Sequence, residues 1–272
     1  MKEFSDSIGQ ALKQHVAVYL SSVGIKDFSP SERAILAYAA CLCLGNPTPT
    51  DSKQVIWDVK ARARESQYIT TFSETDHEAA YHTDTQYFPV PERLFALYCI
   101  QPARCNGGHS SILDARALRE DLKQNHPRLL EALTSKTFPF RVPSAFASSL
   151  DPGLADVTLA PIFSSDVFMR YRLDMLEKGF QCVPELHDSE ARWAIDQLEK
   201  LIKKTPNQAE FFMAEDSMVL VDNHLALHAR TAFSDHERHL VRIRMRTEDQ
   251  TVNNGKARMI QRRVEQAQRV HS

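Results

Sequence analysis

No stretch of the 272 residues approaches the roughly 18 to 20 uninterrupted apolar residues that a membrane span needs. The start, MKEFSDSIGQALKQH, has no apolar core followed by a small-residue cleavage site, so no secretory signal is expected. A CxxC pair is also missing. The five cysteines, Cys41, Cys43, Cys99, Cys105 and Cys182, form an odd set that fits neither a disulfide scaffold nor a structural zinc module. Cys41 and Cys43 lie in the apolar run AACLCLG and read as small buried hydrophobes. A reducing, cytoplasmic setting is the resulting expectation. There is no basic excess either, since the formal net charge is -2, and that argues against a general nucleic-acid binder. No internal repeat, low-complexity segment or linker interrupts the chain, so one domain over residues 1–272 is expected.

What is present is a globular composition, 43% apolar and 25% charged, with many short strand-like runs. QVIWDV, RESQYITTF, ERLFALYCIQ, FPFRV, VTLAPIF, VFMRYRL, EFFMAEDSMVLVDN and HLVRIRMR all read as strands, and CNGGHSSILD as a glycine turn entering another. Helices fall between them. SPSERAILAYAACLCLG starts with a capping serine and Pro30 and is expected to end at Gly45. DARALREDLKQNHPRLLEAL is helical with a break at Pro127, and DSEARWAIDQLEKLIKK is amphipathic. Irregularly spaced strands with inserted helices, rather than βαβ alternation, point to a mainly β fold: an antiparallel barrel or jelly roll with flanking helices.

The chemistry starts in YHTDTQYFP. On a strand, His82 and Asp84 share a face, so an imidazole and a carboxylate could reach one metal ion. By itself HxD has low specificity. The second signal is MVLVDNHLALHARTAF, where a strand ends in Asp222-Asn223 and His228 follows. Two histidines and one carboxylate make a facial triad with open positions, which suits a non-haem Fe(II) oxygenase. His224 competes with His228, and the i, i+4 pair could bind zinc on a helix, but HLALH lacks the glutamate of HExxH. His236 and His239 read as solvated or locally hydrogen-bonded.

HTDTQYF, GGHSSILDA and VDNHLALHARTAF followed by RHLVRIR, in that order, resemble the TauD/clavaminate-synthase-like Fe(II)- and 2-oxoglutarate-dependent dioxygenases. The resemblance runs from about Leu44 to Arg246. It implies a double-stranded β-helix (jelly-roll) core, iron held by His82, Asp84 and His228, and 2-oxoglutarate and O2 as cosubstrates. Succinate and carbon dioxide would be released as a C–H bond is oxidised. The family often has arginine where this chain has His224. Related halogenases have a small residue at the carboxylate position, so Asp84 favours hydroxylation, desaturation or another oxidation over halogenation.

Arg238 and Arg242 are four apart on HLVRIR. Even spacing on a strand could aim both inward, where buried cations need anionic partners, although exposed strand charges would also fit. The resemblance implies that Arg238 anchors the distal carboxylate of 2-oxoglutarate and Arg242 the acidic group of the substrate. Ser110 stands in place of a family threonine that hydrogen-bonds the same distal carboxylate, with Ser111 as the adjacent alternative. A small carboxylate, such as an amino acid or a derivative, is the expected substrate. Gln86, Tyr87, Phe88 and YITTFSE are candidate pocket residues, with strand packing as the alternative. Arg170 and Arg172 in MRYRLD are expected to be solvated strand charges, with contact to a second acidic group as the other option. The basic segment 253–272 suggests a C-terminal helix through Ile260, Val264, Ala267 and Val270. Two other functions compete: a non-catalytic barrel that binds a metal or a small acid, and a zinc-dependent hydrolase. The latter leaves Arg238, Arg242 and Ser110 unexplained.

Overall fold

LFALYCIQ is apolar at nearly every position because both of its faces are covered. The structure is a computed structural model, and it describes residues 2–49, 54–62, 71–143, 156–165, 167–206, 208–247 and 258–260. The chain begins with α1 (Lys2–His15), β1 (Ala17–Leu20), α2 (Pro30–Cys41), β2 (Asn46–Pro47), β3 (Ile56–Val59), β4 (Ala79–His82) and β5 (Leu94–Gln101). Next come β6 (Ser110–Asp114), α3 (Ala115–Asn125), α4 (Pro127–Ser135), β7 (Phe138–Arg141), β8 (Val157–Ala160), β9 (Phe163–Ser164) and β10 (Phe168–Met169). It continues through α5 (Leu173–Cys182), α6 (Ser189–Lys204), β11 (Gln208–Phe211), β12 (Met218–Asp222), β13 (Ala226–Arg230), β14 (His239–Arg246) and β15 (Arg258–Ile260). The fold is mainly β with helices, and its strand pairs are antiparallel.

Two sheets enclose the site. One has the order β1-β12-β5-β14, with β2 and β3 both on the far edge of β14; the other runs β11-β6-β13-β4. Side-chain alternation sorts β5 into two faces. Phe95, Leu97 and Cys99 pack inward with Ile112, Val219, Val221, Ala226 and Leu240, so both sheets contribute to one interior. Leu94, Ala96, Tyr98 and Ile100 pack outward beneath α1 and α2. On the second sheet Leu113 and Leu227 face α3, α4 and α6 in a third core. Each fully buried aliphatic side chain contributes about 1.5–3 kcal/mol, so these alternating rows fix the strand faces firmly.

Ser29 caps α2 in a capping box with Glu32. The helix stops at Cys41, short of Gly45, because Gly45 serves the sheet instead: a Cβ there would meet the Arg246 carbonyl oxygen at 2.8 Å. The expected strand VFMRYRL is cut to Phe168–Met169, and the chain becomes helical from Leu173. Met175, Leu176, Gly179 and Phe180 are buried at helical spacing, and Gly179 lies against the Pro139 carbonyl. Arg258–Ile260 forms a strand on β8 rather than part of a helix, and the rest of that expected C-terminal helix lies outside the described residues. Residues 64–70 of the expected strand RESQYITTF also lie outside them. Among the described residues, no helix is long and apolar enough to cross a membrane.

Candidate active site

β13 pairs with β4 in a register that sets His228 opposite His82, with ring centroids 4.1 Å apart. Asp84 arrives by another route. β4 ends at His82, and Asp84 belongs to a turn in which Thr85 has φ of 51°. The strand alternation expected to align His82 with Asp84 is therefore corrected to a turn held from across the fold. The Asn223 side chain accepts from the Asp84 backbone N–H at 2.6 Å and donates to the Asp84 and Glu92 carbonyls at 3.0 and 2.9 Å. The Thr83 N–H donates to the Tyr171 carbonyl at 2.8 Å. Asn223→Ala is expected to weaken metal affinity about 10- to 100-fold, the usual cost of losing a group that orients a ligand. Isothermal titration with Mn(II), alongside a thermal melt to confirm folding, checks this.

Asp84 Oδ1 lies 3.8 Å from Nε2 of both His82 and His228, and one ligand atom from each residue falls within 4.8 Å of the others. The Nδ1 of His82 is 2.8 Å from the Ala80 carbonyl, so that nitrogen is the donor and Nε2 keeps its lone pair. Two imidazole nitrogens and one carboxylate oxygen, all buried and converging, fit a divalent metal with positions left open. Burial pushes His82 well below the ordinary histidine value and His228 down to about 4. Burial alone would raise Asp84, but the charges of Arg242 and Arg244 outweigh it and hold its carboxyl well below the usual range. Near neutral pH the three groups are thus in their ligating forms.

These shifts set a pH dependence. An unfolded histidine takes up its proton near pH 6.5, before His228 does in the folded chain, so stability falls as pH drops from about 6.5 towards 4. Urea midpoints of the metal-free protein should decline across this window, and less steeply in His228→Ala.

Two cavities meet at the triad. The larger is lined by His82, His228, Ser110, Arg230, Arg238 and Arg242 among apolar side chains from both sheets. Its two outer arginines differ. Arg230 donates to the carbonyls of Phe72, Thr75 and His77, tying the short 3₁₀ turn Phe72–Glu74 to β13. Arg238 is 3% exposed, stacks on Phe233 at 5.0 Å, and its Nη1 has no hydrogen-bond partner among the described residues. Burial lowers it to about 10, so it stays charged at neutral pH. Gly108, at φ 78°, lets the backbone approach this side chain; a Cβ there would sit 3.1 Å from Arg238 Nε. Ser110 shares the inward face of β6 with Ile112, whereas Ser111 interacts with Tyr81 on the other face, although both residues touch the cavity.

The smaller cavity, about 320 Å³, is lined by Phe72, Asp84, Tyr87, Arg172, Arg242 and Arg244 with several hydroxyl side chains. Arg242 borders both cavities. Its Nη1 lies 2.9 Å from Asp84 Oδ2, and Arg244 Nε donates to the same oxygen at 3.2 Å. Phe72 sits between His82, at 5.1 Å, and Arg172, whose guanidinium is 4.0 Å from its ring centre.

Arg170 and Arg172 are buried, not solvated as expected. Arg170 donates to the carbonyls of Gln86, Phe88 and Pro89 at 2.6–2.8 Å and so fixes the segment after the turn. Arg172 forms a bridge beside His82 and pairs with Asp174. Gln86 is buried but lines neither cavity, and Phe88 packs towards the third core. His224 Nε2 lies 3.1 Å from the Pro91 carbonyl, outside the triad. His236 and His239 face Asp76 and Asp58.

Sequence reasoning missed the roles of Asn223 and Arg244, whereas Phe72 lies in the expected pocket segment YITTFSE. For Arg244 a signal existed, since it alternates with Arg242 on β14 and so shares its face. For Asn223 none did, because its partner Asp84 is 139 residues away.

The profile of the taurine catabolism dioxygenase TauD, TfdA family matches residues 2–244. No curated protein matches the chain in sequence. Solved structures do share its fold. A complex of asparagine oxygenase with Fe(II), 2S,3S-3-hydroxyasparagine and succinate superposes with a TM-score of 0.70 at 15% identity, covering 91% of this chain and 80% of that one. The non-haem iron oxygenase OrfP with Fe and alpha-ketoglutaric acid gives 0.63 at 14% identity, with 91% and 80% covered. PvcB from Pseudomonas aeruginosa gives 0.61 at 16% identity, with 90% and 81% covered.

Proposed function

The chain belongs to the taurine catabolism dioxygenase TauD, TfdA family of Fe(II)- and 2-oxoglutarate-dependent dioxygenases, and we propose that it hydroxylates a C–H bond of a small carboxylate, an amino acid or a derivative of one. The observation that carries this reading is Arg238. A charged guanidinium that is buried beside the triad with no carboxylate paired to it among the described residues calls for an anionic ligand.

His82, Asp84 and His228 would hold iron, which with 2-oxoglutarate bound supplies the oxidative decarboxylation to succinate and carbon dioxide that drives oxidation of the substrate. Arg238 takes the distal carboxylate of 2-oxoglutarate and Ser110 donates a hydroxyl to it, so the larger cavity belongs to the cosubstrate. Arg242 then serves the substrate's acidic group at the border of the smaller cavity, whose wall includes Tyr87. Arg244 Nε holds Asp84 Oδ2, while Oδ1, which accepts from Arg242 Nη1 at 3.1 Å, lies towards both histidines. The chain's part in catalysis is positional: it holds one C–H bond near the reacting centre and excludes water with Phe72 and Phe95. The two facing sheets are read as a double-stranded β-helix, or jelly-roll, core of a single domain.

The related folds support the amino-acid reading, since one holds hydroxyasparagine and an OrfP complex holds (3S)-hydroxy-L-Arg. Mass spectrometry after incubation with Fe(II), 2-oxoglutarate, oxygen and an amino-acid panel tests it. At least one amino acid should gain a single oxygen atom, dependent on 2-oxoglutarate. Succinate release with no oxidised product anywhere in the panel would contradict the substrate class.

A further inference from the structure

We infer that the substrate carries two acidic groups, the second held by Arg172 and Arg244, so that a small dicarboxylic amino acid fits the site better than its monoamide. This rests on reading the smaller cavity as the substrate side.

Among the described residues, the walls of that cavity hold three guanidinium groups, Arg172, Arg242 and Arg244, and one carboxylate, Asp84. Two further buried arginines nearby, Arg170 and Arg230, are engaged by backbone carbonyls and hold loops in place. The three in the cavity are not. Arg244 donates from Nε to Asp84, which leaves the other end of its fork for a further acceptor. Arg172 uses Nε and Nη2 on Asp174, and its stacking on Phe72 keeps the fork in place with Nη1 remaining. Arginine offers five donors in a planar fork, suited to carboxylates.

Charge points the same way. Asp174 balances Arg172 from behind, Asp84 is shared by Arg242 and Arg244, and buried Glu92, outside the cavity wall, acts on Arg244 from further off. A divalent ion at the triad would draw on the same Asp84 carboxylate, so one negative group on Arg242 leaves the cavity still cationic. A second acidic group offsets that excess. Thr71, Ser73 and Thr85 add neutral hydroxyls to the same wall.

Anaerobic calorimetry on protein loaded with Fe(II) and saturated with 2-oxoglutarate tests this, because the cosubstrate then occupies Arg238. The probes are L-aspartate, L-glutamate and L-2-aminoadipate against L-asparagine and L-glutamine. At least one diacid should bind about 10- to 100-fold more tightly than the amides, the range expected for a charge-assisted pair. Arg172→Gln should remove that preference and leave amide affinity unchanged. Arg244→Gln, which also releases Asp84 Oδ2, should lower diacid affinity more than amide affinity once its iron stoichiometry is confirmed. The inference is overturned if the amides bind as well as the diacids, if no diacid binds, or if Arg172→Gln weakens acid and amide equally. Iron and 2-oxoglutarate binding are measured first in the same samples. Their failure sinks the dioxygenase assignment, whereas success without a diacid preference sinks only the second acidic group.

Discussion

Asp84→Ala loses tight Fe(II) binding, and succinate formation falls about 10³-fold or more, as expected when a metal worth several kcal/mol of barrier is no longer held. The same change strips Arg242 and Arg244 of their shared carboxylate. Breaking a buried ion pair by removing one partner costs about 3–5 kcal/mol, so a lower melting temperature accompanies the loss. Two further variants separate metal binding from folding. Asp84→Asn keeps the volume and one acceptor oxygen but loses the charge. His228→Ala removes a ligand and disturbs its ring contacts with His82 at 4.1 Å and Phe95 at 4.6 Å. Both should bind iron poorly while circular dichroism shows a folded chain. Full iron stoichiometry in Asp84→Asn and His228→Ala would remove these residues from the metal centre.

The second large effect falls on Arg238 and has the opposite stability signature. Arg238→Met keeps an apolar stem against Phe233 and removes a buried charge with no carboxylate beside it among the described residues. The variant should melt at the same temperature or higher, since replacing an uncompensated buried charge relieves its desolvation cost. Its KM for 2-oxoglutarate should nevertheless rise about 100-fold, as expected for losing a buried charge-assisted anchor of about 2–3 kcal/mol. Arg242→Ala should weaken binding of the substrate more than binding of 2-oxoglutarate. If the two variants show the reverse pattern, the two arginines have been assigned to the wrong ligands. A residue that stabilises the fold and nothing else would not lose cosubstrate affinity while gaining stability.

Much of the fold is legible in the sequence because it is written in local patterns. The apolar strand of β5, the break at Pro127 and the Ser29–Glu32 box each depend on neighbours within a few positions. α5 was hidden because Phe168 and Met169 begin as a strand and the chain turns helical only a few residues later. The site shows the same division. HTD and a downstream histidine point to a ligand set, and the structure gathers His82, Asp84 and His228 at one point. How Asp84 gets there could not be read, since strand alternation gives way to a turn fastened by Asn223. Arg170 and Arg172 misled for a related reason. In MRYRLD they look like solvated strand charges, and only tertiary structure shows one clamping carbonyls and the other stacked on Phe72 in a cavity wall.

The most direct test of the account is succinate production by anaerobically Fe(II)-loaded protein given 2-oxoglutarate and then oxygen, with and without a panel of small amino acids. The account predicts succinate that requires Fe(II), rises with the right substrate, and falls to background in Asp84→Ala and sharply in Arg238→Met at low 2-oxoglutarate. Succinate no higher than in Asp84→Ala, with every substrate in the panel, would contradict it and leave a metal-binding barrel or a zinc hydrolase as the better description of the same His82, Asp84 and His228.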